Sequence, residues 1–199
     1  MDAGGVGRDL ISYIMDSPQP LQLPAAAGAV VAVVDSFSGE FSMFYAGIGS
    51  RKTPADVLVV MTDLARKLSE QGWTLRSGAA AGADSAFEAG SSRSEIFLPW
   101  PGFNGSKSAL CHPSTAALAM AAQFHPAWDR CSRGARLLHA RNCHQILGQD
   151  LATPVQLVIC WSDGSGGTEQ ALRIARHYHI QVRNLFDPTV FAAAVKFLG

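Results

Sequence analysis

The chain has 199 residues, with 48% hydrophobic and 16% charged, which is enough apolar residue for an α/β domain with a real core and too much for a disordered chain. Lys+Arg and Asp+Glu both number 16, so the formal net charge is zero. Proteins whose main work is gripping nucleic-acid backbones ordinarily carry a basic excess, so nucleic acid is not the first partner to expect.

Residues 1–42 read as an N-terminal extension. "MDAGGVGRDL" is glycine-rich, and "DSPQPLQLP" is an extended proline linker. "AVVAVVDSFSGEFSMFYAGIG" reads as two strands around the turn "SFSGE", the second continuing into the core. "LPAAAGAVVAVV" is shorter than a membrane span and lacks the basic start of a signal peptide. The chain is therefore expected to be soluble and cytoplasmic, with no membrane partner.

From residue 43 to 199 strands and helices alternate. "MFYAGIG" is a first buried strand. "PADVLVVMTDLARKLSEQG" is a helix with Val57, Val60, Met61, Leu64 and Leu68 on one face, Pro54 in its first turn and Gly72 at its end. "WTLRSG" is a second strand and "GADSAFEAG" a short helix. "SEIFLPW" is a third strand, followed by the polar and aromatic loop "PGFNGSKSALCHP". Helices near 114–123 and 132–149 lead to the fourth strand, "VQLVICW". Then come a glycine turn and helix, "SDGSGGTEQALRIARHYH", a fifth strand, "IQVRNL", and the closing helix "DPTVFAAAVKFLG". This order predicts a doubly wound, Rossmann-like parallel sheet covered by helices on both faces.

In such sheets, ligands bind beyond the carboxyl ends of the strands, near the point where strand order reverses. Three glycine turns fall at such ends. They are "GIGSRK" with Gly47, Gly49, Ser50, Arg51 and Lys52, "RSGAAAGAD" with Arg76, Ser77, Gly78, Gly82 and Asp84, and "SDGSGGTEQ" with Ser165, Gly166, Gly167 and Thr168. Glycine lets backbone approach a ligand, and N–H groups at a helix N-terminus favour anions. The first turn lacks the third glycine of GxGxxG, and the last has no GK[ST] of a P-loop. Three turns together predict a pocket for a nucleotide-type small molecule.

The four cysteines Cys111, Cys131, Cys143 and Cys160 form no CxxC pair. His112, His125, His139 and His144 fall in no HxH or HExxH pattern. Neither a metal nor another cofactor is expected. Trp100 and Trp161 end strands, and an aromatic of loop 99–113 such as Trp100 is placed to stack on a base.

"AGIGSRKTP…LARKLSEQGWTLRSGAAAGADSAFEAG" and "ARNCHQILGQDLATPVQLVICWSDGSGGTEQALRIARHYHIQV" resemble the core of the DNA-processing DprA family, including its "GSR", "SGxAxGxD" and "RN" motifs. "SGGTEQA" also resembles the "PGGxGTxxE" turn of LOG-type nucleotide phosphoribohydrolases. Both belong to the SLOG superfamily of Rossmann-like nucleotide-binding proteins, and the resemblance spans about residues 43–186. Phe87 and Glu88 stand where the DprA pattern has its histidine, and Glu169 follows Thr168 directly, unlike the LOG pattern.

The resemblance implies that Arg141 and Asn142 lie at the pocket and that the protein pairs as a homodimer. It implies three functions. The first is a binding module that senses or sequesters a nucleotide signal, such as one derived from NAD or a cyclic nucleotide. The second is hydrolysis of an N-glycosidic bond, with Glu169 or Glu88 as the catalytic carboxylate. The third is single-stranded DNA binding like that of DprA. Asp84 and Glu88, one helical turn apart, are expected to face the pocket near a ribose.

Overall fold

A computed structural model describes residues 43–199, and the expected linker and hairpin of residues 1–42 lie outside them. The strands are β1 (Met43–Gly49), β2 (Trp73–Ser77), β3 (Ser94–Ile96), β4 (Leu157–Trp161) and β5 (Gln181–Asn184). They form one parallel sheet in the order β3-β2-β1-β4-β5. The chain builds outward from β1 to β3, then returns to the other side of β1 for β4 and β5. The reversal of order lies between β1 and β4, as the doubly wound prediction requires.

The helices are α1 (Ala55–Glu70), α2 (Ala83–Gly90), α3 (Thr115–Phe124), α4 (Arg133–Leu147), α5 (Thr168–His177) and α6 (Pro188–Leu198). Side chains of β1 alternate between two helical layers, as the period of a strand dictates. Ala46 and Ile48 join a core made with α3, α4 and α5, including Ala117, Ala121, Cys143, Ile146, Leu172 and Ile174. Tyr45 turns the other way and meets Trp73 and Phe87 edge-on, at 6.4 and 6.3 Å between ring centroids. Gly47 and Gly49 continue that second face. A Cβ on Gly47 would come within 2.5 Å of Phe87 Cγ, and one on Gly49 within 2.6 Å of Ala83 Cβ. These two glycines therefore let α2 lie directly on the carboxyl end of β1.

The stripe of α1 differs from expectation at one position. Val57, Met61, Leu64, Ala65 and Leu68 are buried, while Val60 is half-buried. The stripe is turned towards Ala65, which packs close to Gly90 of α2, leaving Val60 on its far edge. β3 is shorter than the apolar run "SEIFLPW": after Ile96 the Phe97 N–H still donates to Ser77 O of β2 at 2.9 Å, and Leu98 then pairs in an isolated bridge with Cys111 of the following loop. Among the described residues no helix is long and apolar enough to cross a membrane.

Candidate functional site

A cleft of about 830 Å³ opens beyond the carboxyl ends of β1 and β4, within the range of roughly 300–1,000 Å³ usual for ligand pockets. Gly49, Ser50, Arg51 and Lys52 line it from the first turn, Asp84 from α2, and Ser165 to Thr168 from the third turn. Arg141 and Asn142 of α4 form another wall. Arg51, Lys52 and Arg141 stand against the single carboxylate of Asp84, so the lining is net cationic.

α4 holds the walls together. Arg141 donates to the Asp84 carboxylate at 3.1 Å, and both side chains are buried. Burial pushes the Asp84 carboxyl above its usual range, and the Arg141 guanidinium pulls it back. Gly78 leaves room for this pair, since a Cβ there would fall on Arg141 Nη1. The adjacent Asn142 turns to the third turn, donating to Gly167 O at 3.2 Å and Gln170 Oε1 at 3.1 Å. Four side-chain nitrogens of this helix, Arg136 Nε, His139 Nδ1, Arg141 Nε and Gln145 Nε2, are buried without a hydrogen-bond partner. Arg141 and Gln145 are only 5% and 2% exposed and line the cleft. Buried donors without partners are rare and costly.

The three turns are not alike. In the first, the N–H of Ser50 donates to Trp161 O at 3.1 Å, that of Lys52 to Ser50 Oγ at 3.0 Å and that of Thr53 to Ser50 O at 3.3 Å. The expected row of free N–H groups is thus largely used within the protein, while the Arg51 and Lys52 side chains are exposed at the cleft. The second turn packs on the first, because a Cβ on Gly82 would lie 2.8 Å from Ser50 O. Gly82 also has φ of +89° and Ala79 of +55°, conformations that favour or strain against a side chain. The third turn is open. Gly164 and Gly166 have φ of +87° and +78°, with nothing within 4 Å of where a Cβ would stand. No side chain caps α5, and the N–H groups of Gly166, Gly167 and Thr168 have no partner among the described residues.

Several expected site residues sit elsewhere. Arg76 points away from the cleft, donating to Glu95 Oε2 at 2.6 Å and to Thr153 O, with its guanidinium 3.9 Å above the Phe44 ring. Its carboxylate partner is Glu95, not Asp84 or Glu88. Ser77 donates to Gly47 O at 2.8 Å and ties β2 to β1. Gly47, Gly78 and Gly82 serve packing behind the cleft wall, filled by protein atoms. Glu88 accepts from the Ala79 N–H at 2.8 Å, and burial raises its carboxyl, an effect that bond opposes. Glu169 accepts from Ser162 Oγ at 2.6 Å and lies 3.6 Å from Arg176. Neither Glu88 nor Glu169 lines the cleft. Trp100 is 37% exposed and supports Phe103 edge-on at 5.1 Å. Phe103 is the aromatic of that loop that lines the cleft. Asn104 anchors the loop by donating to Ala79 O at 2.9 Å.

His125 and His139 also line the cleft, a contribution that sequence patterns missed. Their rings lie 4.4 Å apart between centroids. Burial, then the neighbouring His125, pushes His139 down to about 4. Only the fold brings them together, one following α3 and the other inside α4.

No protein-family model matches the sequence, and neither does any curated protein. Among solved structures, DNA processing protein A from Helicobacter pylori, described for its single-stranded DNA binding mode, aligns with a TM-score of 0.43 and 16% identity. The alignment covers 70% of this chain and 63% of that one, so this chain spans somewhat under two thirds of its length. A likeness that loose decides neither function nor ligand.

Proposed function

We propose that the protein binds a phosphorylated, nucleotide-type small molecule in the cleft and holds it intact, as a sensor or sequestering protein. The observation that carries this reading is the net-cationic lining, Arg51, Lys52 and Arg141 against Asp84, beside the open third turn. Such a lining favours a ligand rich in anionic acceptors. Arg51, Lys52 and the N–H groups of Gly166 to Thr168 then meet its phosphates. Phe103 offers a face to the base, and Asp84 the polar contact for a ribose. The resemblance to the SLOG superfamily agrees with this choice of ligand class.

Holding is preferred to turnover because Glu169 and Glu88 are both engaged by the protein outside the cleft lining. Asp84, the carboxylate that remains, is committed to Arg141. The test is to identify by mass what co-purifies, then to incubate the protein with nucleoside monophosphates, NAD and cyclic dinucleotides. The expected result is intact ligand after denaturation, with a raised melting temperature from binding to the folded state. Release of free base and sugar phosphate, abolished by Glu169→Gln, would replace this reading with hydrolysis. Oligonucleotide binding with a steep salt dependence would replace it with single-stranded DNA binding. Should Arg51→Ala leave every affinity unchanged, the first turn holds no phosphate. Light scattering tests the homodimer that the resemblance implies.

A further inference from the structure

At the cleft's edge, three side chains from separate elements converge. His125 follows the last residue of α3, Cys131 follows the 3-10 turn Trp128–Arg130, and His139 lies inside α4. One ligand atom from each lies within 4.8 Å of the other two. Cys131 Sγ is 3.6 Å from His125 Nδ1 and 3.8 Å from Nε2. Zinc bond lengths of about 2.3 Å to sulfur and 2.0 Å to nitrogen, at tetrahedral angles, require an S···N edge of roughly 3.5 Å. The separation is already close to that edge, and since the sulfur lies almost equally far from both ring nitrogens, the His125 ring must turn to aim one of them at a shared metal.

His139 Nδ1 is buried and has no hydrogen-bond partner. A buried polar atom left without a partner calls for an explanation. Trp128 packs beside both rings, at 6.2 and 6.5 Å between centroids, and gives the cluster an apolar wall. Both histidines line the cleft, and His139 Cε1 is 3.9 Å from where a Gly167 Cβ would stand.

We propose that His125, Cys131 and His139 form a three-ligand site for a borderline-soft divalent ion, Zn²⁺ by its mixed nitrogen and sulfur donors, with the fourth position open to the cleft. Three protein ligands and one exchangeable position is the arrangement of zinc sites that engage a second molecule. On binding, the Cys131 thiol loses its proton to solvent and the thiolate takes the metal. The Ala127 N–H to His125 Nδ1 contact, 3.2 Å long, is the weak bond that gives way if Nδ1 is the ligating atom. The site does not depend on the nucleotide reading, because the metal alone is the probe.

The test uses the full chain stripped with a chelator and then titrated with Zn²⁺, and with Co²⁺ for spectroscopy. One equivalent is expected to bind, with a thiolate-to-cobalt charge-transfer band and the intense visible bands of a four-coordinate ion. Cys131→Ser abolishes the charge-transfer band, and His125→Gln and His139→Gln each weaken affinity by ~100-fold or more. Cys111→Ser changes neither. The metal-free variants are compared by circular dichroism and melting, and a folded variant that still binds as the parent does overturns the site. So does a parent chain that binds less than one equivalent, or whose cobalt spectrum lacks thiolate character.

Discussion

The first two glycine turns and the third read alike in sequence and do different physical work. In the first two, the space above each key glycine is occupied by the protein itself, by Phe87, Ala83, Arg141 and the turn opposite. In the third, the space above Gly164 and Gly166 is empty. Glycine at a strand end thus has two meanings. It admits either a neighbouring element or a ligand, and only the packing tells which. The first two turns build a rigid floor and offer side chains, while the third offers backbone.

The largest effect expected from testing this contrast is at the floor. Arg141→Ala leaves the Asp84 carboxylate buried without its partner, at a cost of about 3–5 kcal/mol, read as a melting temperature lower by roughly 10 °C. Adding Asp84→Asn restores much of that loss, and no restoration would mean that the pair is not what holds the floor. Gly47→Ala comes next. Its methyl would press on Phe87, costing about 1–3 kcal/mol by overpacking, measured by urea denaturation. Gly166→Ala meets no atom and strains only its left-handed backbone, about 1–2 kcal/mol. Its mark should instead be on ligand affinity, and an equal loss of affinity in Gly47→Ala would erase the distinction between the turns.

The smallest effect is one of pH, at the far end of α4. His144 Nδ1 lies 3.0 Å from Gly148 O, and Nε2 accepts from the Ser114 N–H at 3.4 Å. Both bonds are made by the neutral ring, and burial, partly opposed by the Gly148 carbonyl, lowers the His144 pKa. With the folded value depressed, the unfolded chain takes up the proton first. Stability from this group is therefore complete above the ordinary histidine range, near pH 6.5, and falls as pH drops below it. Urea melts at pH 7.5 and 5.5 should differ more in the parent than in His144→Asn.

The alternation of strands and helices and the three turns were legible because apolar runs ending in glycine leave a strong local signal. The five strands and six helices beyond residue 42 fall where the alternation put them. Side-chain direction at strand and helix ends was less legible. Arg76 lies one residue before Ser77 and so points to the opposite face of β2, where Glu95 waits. The alternation was readable, but the partner on a neighbouring strand was not. Glu169 looked catalytic beside Thr168, yet the hydroxyl that claims it, Ser162, comes from the end of β4. The approach of His125, Cys131 and His139 has no recognised ligand spacing, since a loop and a short turn set it. Residues 83–90 show the same limit, for Asp84 reaches the cleft while Glu88, one turn on, bonds back to Ala79.

The ties that α4 makes also fix when the cleft can exist. Arg141 reaches back 57 residues to Asp84, and Asn142 reaches forward 25 to Gly167. Neither contact forms until loops of those lengths have closed, a cost met late in the assembly of a parallel sheet. A half-folded chain then has no weaker version of the pocket to offer. Ligand occupancy should rise in step with global folding, and a refolding experiment that follows binding should report the last contacts made.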